Sequence, residues 1–191
     1  MTLTNTTKPH MYAGLLNSGI EFFTVEDEVI TFLNGKVLSF TELPFNVIQL
    51  LREEIENDIS LKMALLDWHS NSEFKRLEQL AKCRFGGLDF KADIIDNKLQ
   101  EGEYWDCPVR GACAYNGIIC QAAKFQGADL SKIDIDLMKM LSTNLTNETI
   151  AGELNVPMGT FHKLKKMLYE KLGSIQTKQE VAVIATALNI I

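Results

Sequence analysis

The sequence predicts a mainly α-helical protein with a small β-hairpin, in which an α+β N-terminal domain precedes a four-helix C-terminal domain. Three observations lead to this fold class. Asn34-Gly35 joins two short runs of β-branched and aromatic residues, which is the pattern of a β-hairpin. Elsewhere, apolar residues recur every three or four positions, as in amphipathic helices. Residues 84–120 lack this periodicity and hold five glycines and three cysteines, so we expect a loop-rich segment between the helical regions.

The N-terminal domain, predicted over residues 1–82, combines the hairpin with helices. Residues 1–10 are polar and rich in threonine, which is typical of a frayed terminus. The hairpin is predicted within residues 25–40. Since an isolated hairpin is only marginally stable in water, it must pack on an apolar partner, and the helices that follow supply one. These helices are predicted from periodicity over residues 44–57, 59–68 and 72–83.

A cysteine-bearing segment is predicted over residues 83–129, packed with the N-terminal domain. It contains all four cysteines of the chain, with the spacing C-x23-C-x5-C-x6-C. A long loop without secondary structure is uncommon in a compact domain, and a cross-link or a metal usually holds one together. The predicted metal ligands are Cys83, Cys107, Cys113 and Cys120.

The nature of the cysteine site stays open at this point. Four thiolates suit either a tetrahedral zinc ion or an iron-sulfur cluster. The alternatives are buried thiols without a metal and a thiol-based redox switch. Arg110 in this segment is expected to form a surface ion pair with a nearby acid, Glu101, Glu103 or Asp106.

The C-terminal domain, residues 130–191, shows four helical patterns, predicted over residues 131–141, 147–154, 158–172 and 177–188. Pro157 ends the break between the second and third patterns; it cannot continue the earlier helix but suits the first turn of the next. Two helices around so tight a break form a helix-turn-helix. Gly173 is expected to close the third helix.

The third of these helices has one apolar face and one basic, hydrogen-bonding face. A helix that reads the major groove of DNA needs such an outer face, although a solvated basic face is the alternative. The predicted DNA-binding residues are Thr160, His162, Lys163, Lys165, Lys166 and Tyr169.

Composition limits the class of protein. The 191 residues are 46% hydrophobic, which suffices for two small domains with cores of their own. We expect a cytoplasmic protein without a membrane span, because no apolar run of about 18 residues and no signal-peptide pattern is present. The net charge is −6. Residues 131–191 hold 7 lysines and 6 acids, whereas residues 1–130 hold 12 basic and 19 acidic residues, so the negative charge belongs to the N-terminal part.

Residues 130–191 resemble the LuxR-type (GerE-like) helix-turn-helix domain of bacterial transcription regulators. The resemblance covers about a third of the chain and all four helices, without a gap. The family's E-I-A, its following apolar pair, T-V and K-L-G correspond here to Glu148, Ile150, Ala151, Leu154, Val156, Thr160, Phe161, Lys171, Leu172 and Gly173.

This resemblance implies a four-helix domain that binds double-stranded DNA through the second helix of the motif, and a homodimer formed through the last helix. Three positions depart from the family pattern: Pro157 replaces a serine, His162 a lysine and Leu164 a histidine. Loss of the serine removes a helix cap and a phosphate contact.

We therefore expect a bacterial or phage transcription regulator whose N-terminal domain senses a signal or dimerises. The rival hypotheses are a protein-interaction module that uses the helix-turn-helix for docking, and a redox or metal sensor that acts through the four cysteines. An enzyme is not expected, because no nucleophile motif or phosphate-binding glycine loop occurs.

Overall fold

The computed structural model describes residues 11–15 and 17–191. The frayed terminus expected over residues 1–10 lies outside them. The chain forms two compact units, with the boundary after Gly102. No helix in the described ranges is long and apolar enough to cross a membrane.

A five-stranded antiparallel sheet forms one layer of the first unit, in the order β3-β2-β1-β4-β5. The expected hairpin is β2–β3, and Asn34 and Gly35 turn it with φ values of +51° and +74°, as a type I′ turn requires. The central strand β1 was not predicted from the sequence. The strands are β1 (Ile20–Val25), β2 (Glu28–Leu33), β3 (Lys36–Ser39), β4 (Ile94–Ile95) and β5 (Lys98–Leu99).

Two further hairpin turns are built without glycine. Glu26-Asp27 joins β1 to β2 with φ values of +48° and +80°, and Asp96-Asn97 joins β4 to β5 with φ values of +49° and +56°. Short polar side chains such as Asp and Asn tolerate this left-handed backbone better than other non-glycine residues. A search for Asn-Gly or Asp-Gly therefore does not detect these turns.

Three helices follow the hairpin: α1 (Phe45–Asn57), α2 (Ile59–Trp68) and α3 (Glu73–Arg84). Helix α3 packs against β1 and β2 and α1 against β5, while α2 packs on the other two helices. The prediction of the three helices is confirmed. Asp58 caps α2 by accepting from the Leu61 amide at 3.0 Å, and Ser72 caps α3 by accepting from the Lys75 amide at 3.2 Å. The core between sheet and helices is fully buried around Phe22 and Phe85, whose ring centroids lie 6.1 Å apart.

The second unit contains four helices and a small hairpin. The four C-terminal helices are confirmed with ends within one residue of the prediction. The hairpin turns at Gln126-Gly127. The elements are β6 (Lys124–Phe125), β7 (Ala128–Asp129), α4 (Lys132–Leu141), α5 (Asn147–Glu153), α6 (Met158–Lys171) and α7 (Lys178–Ala187).

Part of the cysteine-bearing segment belongs to the core of this second unit. Tyr104 and Ala123 are buried in the same cluster as the apolar faces of α4 to α7. Residues 103–129 thus lie in the helical unit, and not with the N-terminal domain as expected. The sequence did not reveal this because two isolated apolar anchors in an aperiodic segment do not indicate a partner.

Candidate functional site

The connection between α5 and α6 fixes the position of α6. Leu154 ends α5, and Asn155 takes the left-handed conformation with φ +52°. The Val156 amide then donates to the Ala151 carbonyl at 3.0 Å. Ile150 and Phe161, one on each helix, are fully buried. The tight connection and these anchors together hold α6 against the core.

Pro157 occupies the N-cap of α6 and provides no side-chain acceptor for the first amides of the helix. By contrast, Thr146 caps α5 by accepting from the Thr149 amide at 3.2 Å. The predicted loss of a helix cap at Pro157 is therefore confirmed.

Along α6, one face is buried and the opposite face is exposed. Phe161, Leu168 and Leu172 are buried in the unit core. Of the predicted site residues, Thr160, His162, Lys163 and Lys166 are exposed, whereas Lys165 and Tyr169 are half-buried on one flank of the helix.

The half-buried flank of α6 forms one wall of an open groove of about 430 Å³. Gly173, with φ +86°, turns the chain at the end of α6. Residues 174–176 form the second wall of the groove. The Ile175 amide donates to the Tyr169 carbonyl at 3.2 Å and holds this wall against the helix. The groove is lined by His162, Lys165, Lys166, Tyr169, Glu170, Ser174, Ile175 and Gln176.

The structure thus brings together four of the six predicted residues, while Thr160 and Lys163 lie on α6 outside the groove. Sequence reasoning missed the second wall, Ser174–Gln176, because a loop without periodicity carries no signal of what it faces.

Lys165 and Tyr169 interact within this flank. The Lys165 ammonium lies 5.2 Å from the centroid of the Tyr169 ring, a cation–π distance. Partial burial lowers the pKa of Lys165, and the positive charge of Lys178 lowers it further. Burial raises the pKa of Tyr169, with a contribution from Glu180. The Tyr169 hydroxyl is buried without a hydrogen-bond partner in the described part of the chain.

Carboxylates partly neutralise the positive charge on the surface of α6. Glu170 lies 3.9 Å from the Lys166 ammonium, and both side chains are mostly exposed, so solvent screens the pair. A hydrogen bond from its own amide lowers the pKa of Glu148, and a bond from Thr146 and the charges of His162 and Lys178 act in the same direction. The surface of α6 therefore has a modest cation excess.

The cysteines form no recognisable metal centre. Cys83 lies in α3 of the first unit, where Gln79 donates to its sulfur at 3.1 Å, while the other three lie in the second unit. None of the four cysteines forms a disulfide. In residues 11–15 and 17–191, no three His, Cys, Asp or Glu side chains are placed to hold a metal. The geometry gives the zinc or iron-sulfur hypothesis no support, and it stays a prediction.

Arg110 organises the cysteine-bearing loop. Its guanidinium donates to the main-chain oxygens of Trp105 and Gln121 at 3.2 and 3.0 Å and to the side chain of Asn116 at 3.2 Å. It also lies 4.4 Å above the Tyr104 ring. The expected partner Asp106 instead pairs with Lys139 of α4. An arginine bound to carbonyl groups therefore ties both ends of the loop together.

No protein-family model, curated protein or solved structure matches the chain. The LuxR-type resemblance of residues 130–191 accordingly stays a prediction from sequence.

Proposed function

We propose that the protein is a DNA-binding transcription regulator in which α6 enters the major groove. The observation that carries this proposal is the two-faced character of α6. Its apolar face is buried in the core, while His162, Lys163 and Lys166 are presented to solvent on the other side. An α-helix fits the width of the major groove, where such side chains can donate to base edges and phosphates.

The site residues fall into an exposed group and a half-buried group, and we assign a different role to each. Exposed Thr160, His162, Lys163 and Lys166 reach base edges. Half-buried Lys165 and Tyr169 lie on the flank, beside the groove formed with residues 174–176, and contact the phosphate backbone, which accounts for most of the affinity in protein–DNA complexes. The LuxR-type pattern of residues 130–191 supports the same orientation of α6.

Salt dependence tests the proposal directly. For Lys165→Ala combined with Lys166→Ala, we expect weaker binding to a fluorescent DNA duplex and a log K versus log[salt] slope that is smaller in magnitude by about 1, because Lys165 is the one phosphate contact removed and each such contact contributes about 0.9. The measurement is fluorescence anisotropy over a range of salt concentrations, with the full chain.

Lys36→Ala combined with Lys75→Ala is the matched control, since these exposed lysines lie in the first unit. It should leave the slope unchanged. Equal slopes for both double variants, or no salt-dependent binding by the native chain, would exclude α6 as a DNA-binding helix.

A protein-docking module is the second candidate, and the surface of α6 also favours it. Met167 is 55% exposed, and Glu170 lies among the lysines of the groove. In this alternative the first unit, with its excess of acids, contacts a basic partner. Absence of DNA binding by the native chain would favour this candidate.

A further inference from the structure

Glu21 is a carboxylic acid buried in the centre of the first unit. It lies on β1 and has no exposed surface. In the antiparallel register Glu21 stands opposite Phe32, so the two side chains share one face of the sheet. Aromatic rings cover that face: Tyr12 lies 6.2 Å from Phe32 and stacks on Phe90 at 4.8 Å between centroids.

Residues 86–93 run along the edge of β1 that β4 pairs only at Ile20, and main-chain hydrogen bonds join the segment to β1 near both of its ends. The Thr24 amide donates to Gly86 at 3.0 Å, and the Asp93 amide donates to Ile20 at 2.8 Å. Between these points the loop leaves the strand, and carboxyl groups bridge the gap. The Phe22 amide donates to the Asp93 carboxylate at 2.7 Å, and the Asp89 amide donates to Glu21 Oε1 at 2.9 Å.

The second oxygen of Glu21 makes this bridge sensitive to charge. Oε2 is buried and has no hydrogen-bond partner in the part of the chain that the structure describes. A buried carboxylate without partners is much less stable than a neutral carboxyl group. Burial accordingly raises the pKa of Glu21 from 4.5 to about 8; the bond from the Asp89 amide opposes this rise, and the charge of Asp89 adds to it.

The charged groups on the surrounding elements do not compensate a negative charge at Glu21. The loop contributes the acids Asp89 and Asp93. Its one lysine, Lys91, is exposed, and its amide donates to Asp89 at 2.5 Å. The segment before β1 contributes Tyr12. Ionised Glu21 would gain solvation if the loop moved away.

We propose that Glu21 is a proton-operated latch, whose neutral carboxyl group holds residues 86–93 against β1 and whose ionisation releases them. The closed loop holds the proton more tightly than the open loop. The latch is therefore at full strength below the ordinary pKa of 4.5 and is lost as the pH rises towards 8, so it weakens across neutral pH. Release would uncover the aromatic face that Phe90 and Tyr12 now close.

Hydrogen exchange of the full chain tests the latch. After correction for the intrinsic exchange rate, the opening constant of the Asp89 amide should rise about tenfold per pH unit between about pH 5 and pH 8, because one proton is released on opening. Glu21→Gln keeps the acceptor for the Asp89 amide and cannot ionise, so its opening constant should not change with pH. The control Glu28→Gln, at an exposed position of β2, should behave like the native chain.

A carboxyl titration of the native chain, followed by carbon NMR, gives an independent readout that needs no variant. A Glu21 midpoint near 8 supports the latch, and a midpoint below about 6 overturns it. The same pH slope in Glu21→Gln and in the native chain would also overturn it.

Discussion

Asp134 links the N-terminus of α4 to the C-terminal end of α6. It is buried, and its carboxylate accepts from the Ser131 amide and hydroxyl at 2.8 and 2.6 Å and from the Lys171 ammonium at 2.6 Å. Burial alone would raise the pKa of Asp134, but the bonds from Lys171 and Ser131 outweigh it and lower the pKa below 3.8. One side chain thus caps α4 and fixes the end of α6.

For Asp134→Asn, we expect a loss of about 1–3 kcal/mol in the free energy of unfolding at pH 7, since charge-assisted hydrogen bonds are removed from a buried site. The native contribution is present above pH 3.8 and disappears as the pH falls through the lowered pKa. Urea unfolding between pH 3 and pH 7 measures both effects. Asp129→Asn, which affects only an exposed pair with Lys124, should cost less than about 0.5 kcal/mol; an equal cost would contradict this role of Asp134.

At the scale of elements, the helices and β2–β3 could be predicted because both signals are local in the sequence. The helices show apolar periodicity, and the hairpin has an Asn-Gly turn. Strand β1 could not be predicted. Its first four residues are all buried, with Glu21 among them, so the alternation that indicates a half-buried strand is absent. The candidate site was likewise predicted only in part. Helical spacing predicted the exposed face of α6, but it gave no sign of the groove wall formed by residues 174–176.

Helix α6 also lacks the N-cap that most of its neighbours have. We expect Pro157→Ser to be more stable than Pro157→Ala by about 1 kcal/mol, because both variants restore an amide and only serine offers an acceptor to the first turn. The difference in the free energy of unfolding between the two variants, measured with urea, gives the contribution of the cap. If the N-terminus of α6 lies on DNA phosphate, Pro157→Ser should also bind DNA more tightly than Pro157→Ala; equal stability would mean that the side chain at 157 does not cap α6.

At the scale of the whole molecule, charge is divided between the two units. Residues 1–102 hold 10 basic and 16 acidic residues, whereas residues 103–191 hold 9 of each. The helical unit is thus neutral overall, and the exposed lysines on the outer face of α6 are Lys163 and Lys166. Under the proposed DNA-binding function, we therefore expect weak binding to arbitrary DNA and an affinity that depends on contacts at a defined site.

The cysteine hypothesis also belongs to this scale, because Cys83 lies in one unit and the other three cysteines in the second. The sequence-based prediction is that protein purified without oxygen contains stoichiometric zinc or iron, and that Cys113→Ser lowers this content. Elemental analysis and an absorbance spectrum distinguish zinc from an iron-sulfur cluster. Absence of both metals would end the hypothesis and leave four thiols.

The position of Arg110 has a consequence for how this chain can change in evolution. Because its guanidinium binds the carbonyls of Trp105 and Gln121, the two ends of the loop stay joined as long as Arg110 is kept. Such a closed surface loop tolerates insertions and substitutions at its tip. We therefore expect residues 111–118, apart from Asn116, which Arg110 also binds, to be the part of the second unit that tolerates changes in length and sequence while the helices keep their packing.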